Sequence, residues 1–171
     1  MNKANLNDLN FKNYKKVVIL SHRSPDGDSI GSSLAIYNYL KNFIEDVQVI
    51  SPDPAPKFLS WLSGFDKTIN YEQKNELSTE KIIEADLIFC LDFNTPSRMG
   101  DMAAAFAKNE NAFIVNIDHH QNPDQFANIQ ISDSSASSTC QMVFDFIKDM
   151  GHISYLDKSI AESIYTGIVT D

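Results

Sequence analysis

The sequence predicts an α/β fold, an open and mainly parallel five-stranded sheet with helices on both faces. Two observations carry the prediction. Short runs rich in β-branched and aromatic residues are apolar almost throughout, as strands buried on both faces of a parallel sheet are. Helical patterns fall between these runs, and such alternation builds βαβ units with right-handed crossovers. A length of 171 residues suits one domain with a single sizeable core.

The elements follow in order. "VVIL" (17–20) is the first strand, and a helical pattern runs from Ile30 to Phe43 with Leu34, Ile36, Tyr37 and Leu40 on its apolar positions. "VQVI" (47–50) is the second strand, followed by the proline-rich loop "SPDPAP" (51–56). Helical segments are expected at Phe58 to Leu62 and Thr79 to Glu84, then the strand "DLIFCL" (86–91), a helix from Met102 to Lys108 and the strand "AFIVNI" (112–117). "ANIQI" (127–131) is the fifth strand. The serine-rich "SDSSASST" then leads into the amphipathic "CQMVFDFIKDM", with Ser137, Ser138 or Thr139 as the helix cap. A last helix, from about Leu156 to Ile168, starts at or just before Asp157.

Composition narrows the function classes. No apolar run approaches the roughly 20 residues of a membrane span, and "MNKANLNDLNFKNYKK" lacks the apolar core of a secretory signal, so a cytoplasmic protein without membrane contact is expected. Cys90 and Cys140 stand alone, without metal-binding or disulfide spacing, and read as buried free thiols. The net charge of −9 argues against nonspecific nucleic-acid binding. It is compatible with a small anionic substrate whose charge is met by metal ions.

Ligands of open α/β sheets sit beyond the carboxyl ends of the strands. His22, Asp26 and Asp28 follow the first strand in "SHRSPDGDSIGSS", Asp92 follows "DLIFCL", and Asp118, His119 and His120 follow "AFIVNI". Taken singly, each stretch reads as a turn, but three strands deliver acids and histidines to one edge. Three of the four histidines and both arginines, Arg23 and Arg98, lie in these segments, whereas His152 reads as a surface or capping residue. Carboxylates with imidazoles and no thiolate suit a hard or borderline divalent ion, Mn²⁺ before Mg²⁺. Two ions sharing a carboxylate would offset the negative charge, polarise a phosphoryl oxygen and activate a water. If strand geometry persists through "IDHH", His119 and His120 point to opposite sides, one as a ligand and the other towards substrate, with Asp118 orienting an imidazole. The helix start at "DSIGSS" offers free N–H groups to a phosphate, which makes Ser32 a candidate contact alongside Arg23 and Arg98.

"HRSPDGDSIGSS", "LDFNTPSRMGD", "IDHH" and "GIVTD", in this order, resemble the four motifs of the DHH phosphoesterase superfamily over nearly the whole chain. "PDGDSIGSS" is similar to the branch of nanoRNases and 3′-phosphoadenosine-5′-phosphate (pAp) phosphatases, whereas RecJ-type exonucleases tend to carry "DxDG" and family II pyrophosphatases "PDTD". The resemblance implies that His22, Asp26 and Asp92 hold one Mn²⁺ and that Asp28, Asp92, His119 and Asp171 hold the other, with Asp92 bridging and His120 nearest the scissile phosphate. Asp171 enters only through the resemblance. It implies hydrolysis of short oligonucleotides or pAp. It also implies that residues 1–171 are the catalytic domain and that a glycine-rich, basic substrate-binding domain lies outside this chain; the sequence does not give the oligomeric state, and a homodimer of the full-length protein is compatible with it. Alternatives are a cyclic-dinucleotide phosphodiesterase or pyrophosphatase of the same superfamily, or a non-catalytic metal- or nucleotide-binding module.

Overall fold

A computed structural model describes Leu6 and residues 9–171. The expectation of no apolar signal segment rests partly on residues 1–5, 7 and 8, which lie outside the described residues. In chain order the elements are β1 (Lys16–Leu20), α1 (Gly27–Leu40), β2 (Asp46–Ser51), β3 (Ile69–Asn70), α2 (Asn75–Glu84), β4 (Leu87–Leu91), α3 (Met102–Phe106), β5 (Phe113–Asp118), β6 (Ile129–Ser132), α4 (Thr139–Asp149) and α5 (Lys158–Thr170). They form one sheet in the order β3-β2-β1-β4-β5-β6, with every neighbouring pair parallel. The sheet therefore has six strands rather than five. The additional strand, β3, is an edge pairing of Ile69 and Asn70 with Ile50 and Ser51, too short to leave a period in the sequence.

The helix boundaries follow their caps. α1 starts at Gly27, three residues before Ile30, because the Asp26 carboxylate accepts the Ser29 N–H at 2.9 Å. Ser138 caps α4 by accepting the Gln141 N–H, and Asp157 caps α5 by accepting the Ile160 N–H. The stretch expected as a helix from Phe58 to Leu62 is a 3-10 turn at Lys57–Leu59, confined between Pro56 and the left-handed Gly64.

Alternation along the buried strands feeds two cores. Val17 and Ile19 of β1, with Phe89 of β4 and Ile117 of β5, pack under α1, α4 and α5 against Leu34, Phe146 and Ile164. Val18 and Leu20, with Ile88 and Cys90, face α2 and α3 through Ile82 and Met102. Cys90 and Cys140 are free and buried. His152 is half-buried and stands, as a capping residue, at the N-cap position of the 3-10 turn Ile153–Tyr155; its side chain makes no cap bond there, and instead its Nδ1 meets the Tyr39 hydroxyl at 2.5 Å and its ring stacks on Phe43. Tyr39 is fully buried, so its hydroxyl needs that partner. No helix among the described residues is long and apolar enough to cross a membrane.

Two glycines let α5 lie against α1 and α4. A Cβ at Gly167 would overlap the Cys140 sulfur and come 2.7 Å from Asp28 Oδ1, and one at Gly31 would come 2.7 Å from the Ser163 carbonyl. This close approach carries the end of α5 to the mouth of the sheet. Gly167→Ala should therefore cost about 1–3 kcal/mol by overpacking, read as a lower urea midpoint at unchanged slope. An unchanged midpoint would contradict this packing.

Candidate metal centre

β1, β4 and β5 end side by side, and the chain leaving each turns its polar residues into one crevice. β4 and β1 are also where the strand order reverses, the switch point at which open α/β sheets hold ligands. His22 follows β1, Asp92 follows β4, and Asp118 ends β5 with His119 and His120 immediately after it. α1 supplies Asp26 as its cap and Asp28 in its first turn, and the close-packed α5 brings Asp171 from the other side.

Asp92 lies at the middle of this set. Its Oδ2 is 3.3 Å from His22 Nε2, while its Oδ1 is 3.7 Å from His119 Nε2 and accepts the Thr139 hydroxyl at 2.9 Å. The carboxylate thus turns its two oxygens to two different groups of neighbours. Its backbone is left-handed, φ +66°, a conformation that aspartate tolerates better than most residues but that needs support. The Asp92 N–H donates to the Ile117 carbonyl, and the buried Asn116 amide donates to the Cys90 and Phe93 carbonyls on either side. Gln130 in turn donates to Asn116 Oδ1. The sequence reading did not find Asn116, because an asparagine inside an otherwise apolar strand has no spacing that marks it.

Asp28 is fully buried and is held by the start of α4, where the Thr139 N–H donates to Oδ2 at 2.6 Å and the Cys140 N–H to Oδ1 at 2.8 Å. Two free helix N–H groups and the positive end of a helix dipole therefore meet a buried carboxylate. Thr139 joins the two halves of the centre, its amide on Asp28 and its hydroxyl on Asp92. The serine-rich stretch was expected chiefly to cap a helix, and it does so through Ser138; the further role of Thr139 depends on tertiary contact.

The imidazoles are fixed by their second nitrogens. A carbonyl or carboxylate can only accept, so Nδ1 of neutral His22 carries the proton given to the Arg23 carbonyl at 2.7 Å, and Nε2 is left free beside Asp92. Nδ1 of His120 likewise donates to Asp118 Oδ1 at 2.6 Å, which is the orienting contact expected of Asp118. His119 places Nε2 3.9 Å from Asp28 Oδ2 and 3.7 Å from Asp171 Oδ2. The two rings do not diverge as strand alternation would require. β5 ends at Asp118, the alternation ends with it, and the ring centres of His119 and His120 lie 4.9 Å apart.

Three overlapping groups have potential ligand atoms within 4.8 Å of one another: His22, Asp26 and Asp92; Asp28, His119 and Asp171; and Asp92, His119 and His120. Asp28, Asp92 and Asp118 are buried, yet among the described residues the lysine ion pairs all lie elsewhere. Buried carboxylates facing imidazoles, with no lysine or arginine to neutralise them, are the donor set of a divalent-cation site, and the residues fit that role. Ser32 does not join them. It is fully buried and its hydroxyl donates to the Ser29 carbonyl, so it presents nothing to a phosphate. Arg23 and Arg98 are exposed, and the Arg23 N–H donates to the Arg98 carbonyl, which ties the loops after β1 and β4 together.

The electrostatics of the metal-free centre run in one direction. Burial, reinforced by the charge of Asp92, raises the Asp28 carboxyl to about 6. Burial likewise raises Asp171. For His22 burial works against the charged ring, but hydrogen bonds with Asp92 and the Arg23 carbonyl outweigh it and hold the ring above its ordinary value. All three groups bind protons more tightly folded than unfolded. For Asp28 the stabilisation is complete below the unfolded carboxyl value and is lost progressively as pH rises from about 4 through about 6, on the order of 3 kcal/mol over that whole window with its last part above pH 5.5. The metal-free protein should therefore melt at a lower temperature at pH 8 than at pH 5.5, and a divalent cation added at pH 8 should restore the difference. Thermal unfolding after chelation checks this, and a melting temperature that rises with pH would contradict it.

Comparison with known proteins agrees with the fold and the motifs. The description "DHH family, N-terminal domain" matches residues 16–168. The bifunctional oligoribonuclease and PAP phosphatase NrnA of Thermus thermophilus is 33% identical over 155 residues, covering 91% of this chain and 43% of that protein. Its namesake in Bacillus subtilis is 26% identical over 159 residues, covering 92% of this chain and 46% of that protein. The crystal structure of an exopolyphosphatase-related protein from Bacteroides fragilis superposes with a TM-score of 0.90 at 42% identity, covering 93% of this chain and 46% of that one. The chain thus spans less than half the length of these relatives. With the family's motifs at the ends of β1, β4 and β5 and the match running from Lys16 into α5, the chain belongs to the DHH family and carries its N-terminal domain.

Proposed function

We propose that this domain is an Mn²⁺-dependent phosphoesterase that hydrolyses short oligonucleotides, pAp or both. The observation that carries the reading is Asp92, whose two oxygens face two ligand groups, as a bridging carboxylate must. His22, Asp26 and Asp92 would hold one ion, and Asp28, Asp92, His119 and Asp171 the other. Bound there, the pair would polarise the phosphoryl oxygens and make a water nucleophilic near neutral pH.

The chain's own groups set the stage for that chemistry. Thr139 and the start of α4 hold Asp28 and Asp92 so that neither carboxylate must reorganise when substrate arrives. His22 is committed through Nδ1 to a backbone carbonyl, so Nε2 is its ligating atom. His120 is committed through Nδ1 to Asp118, so Nε2 is the atom that meets a phosphate oxygen or gives a proton to the leaving group. Arg23 and Arg98, exposed in the loops that follow β1 and β4, would neutralise the remaining phosphate charge. The names of the relatives support oligonucleotide and pAp substrates, and the larger part of each relative lies outside the match.

The experiment compares turnover of pAp, a linear dinucleotide, a cyclic dinucleotide and pyrophosphate in Mn²⁺, with wild type beside Asp92→Asn. The expected result is hydrolysis of pAp or the linear dinucleotide, reduced on the order of a thousandfold in the variant. Undiminished hydrolysis in Asp92→Asn, or turnover of pyrophosphate or the cyclic dinucleotide alone, would overturn the reading.

A further inference from the structure

Ser138 takes the side-chain cap of α4 by accepting the Gln141 N–H, which leaves the hydroxyl of the next residue, Thr139, free of that task. Thr139 is fully buried, and its Oγ1 lies 2.9 Å from Asp92 Oδ1. An ionised carboxylate only accepts, so the hydroxyl donates its proton to that oxygen. The neutral rings of His22 and His119 give their Nδ1 protons to the Arg23 and Ala136 carbonyls and turn a bare Nε2 towards Asp92, while His120 gives its Nδ1 proton to Asp118. With these rings neutral, Thr139 is, among the described residues, the one proton donor to the Asp92 carboxylate.

The bond is one-sided. Oδ1 lies on the side of His119, 3.7 Å from its Nε2, whereas Oδ2 lies 3.3 Å from His22 Nε2. Each carboxylate oxygen has about two lone-pair positions. The hydroxyl takes one of those on Oδ1 and leaves one there for a single cation. The terminal torsion of an aspartate is broad, so a carboxylate without this bond is free to turn both oxygens to one ion. With the bond, Oδ1 stays on the His119 side.

The same residue holds the neighbouring ligand. The Thr139 N–H donates to Asp28 Oδ2 at 2.6 Å, and that oxygen is 3.9 Å from His119 Nε2. Asp28 Oδ2 and Asp92 Oδ1 are thus tied to the amide and the hydroxyl of one residue, whose side chain is stiffened by its branched Cβ. Among the described residues Thr139 makes no hydrogen bond to His22, Asp26 or Asp92 Oδ2. Its influence falls on one half of the centre.

We propose that Thr139 is a positioning residue that makes Asp92 a bridge between two ions rather than a chelate of one. Its hydroxyl commits Oδ1 to the group of Asp28, His119 and Asp171, so that loss of the hydroxyl weakens the ion held there and spares the ion held by His22 and Asp26. The proposal rests on the two-ion phosphoesterase reading above.

The test is calorimetric titration of the full chain with Mn²⁺. Wild type stands beside Thr139→Val, which keeps the shape and the amide but loses the hydroxyl, and Thr139→Ser, which keeps both polar groups. The expected result is two sites in wild type, one of them weakened about ten- to a hundredfold in Thr139→Val, and wild-type binding in Thr139→Ser. Anomalous diffraction from crystals grown at limiting Mn²⁺ identifies the weakened site: in Thr139→Val the peak beside His119 should fade while the peak beside His22 remains. Thr139→Ala, which also lacks the hydroxyl, supplies the same readings where the valine variant does not fold. Unchanged affinities without the hydroxyl, equal weakening of both sites, weakening of the His22 site alone, or failure of Thr139→Ser to bind as wild type does would overturn the positioning role alone. Fewer than two Mn²⁺ bound by wild type would overturn the two-ion reading and the role of Thr139 with it.

Discussion

Burying several carboxylates within a few ångströms of one another is costly, and much of this domain can be understood as the means of doing it. Asp28, Asp92 and Asp118 are nearly or wholly removed from water at one sheet edge. Isolated ionised groups in such surroundings either take up a proton or find a partner. Here the partners are helix N–H groups for Asp28, a threonine hydroxyl and imidazoles for Asp92, and one imidazole for Asp118. These contacts lessen the repulsion without neutralising it, and the remaining deficit of positive charge makes the centre receptive to divalent ions.

The global fold serves this arrangement directly. Parallel strands deliver their ends to one edge, so residues far apart in sequence converge without a long loop. The positive start of α4 meets the buried Asp28 carboxylate, and the start of α1 is capped by Asp26. α5 reaches the centre only because Gly31 and Gly167 remove the side chains that would hold it away. Even the strained backbone of Asp92 has an identifiable support in the Asn116 bracket between β4 and β5.

The sheet and most of the site could be read from the sequence because both depend on local signals. Apolar runs gave the five longer strands, and acids and histidines placed just after three of them indicated the edge where they meet. β3 escaped because two residues carry no period, and Ser32 was misjudged because a serine in the second turn of a helix looks the same in sequence whether its hydroxyl faces solvent or the turn before it. His119 and His120 were expected to diverge because nothing local marks Asp118 as the last strand residue. Asp171, Thr139 and Asn116 belong to a third kind: their importance comes from helix and strand packing, and only the family motif pointed to the first of them. The chemistry of such a site is therefore more easily read from sequence than the scaffold that holds it.

The most direct measurement is anomalous diffraction at the manganese absorption edge from crystals of this chain grown with Mn²⁺. The account predicts two peaks a few ångströms apart on either side of the Asp92 carboxylate, one beside His22 and Asp26 and the other beside Asp28, His119 and Asp171. A single peak that leaves Asp92 outside its coordination, or no peak in the crevice, would contradict it.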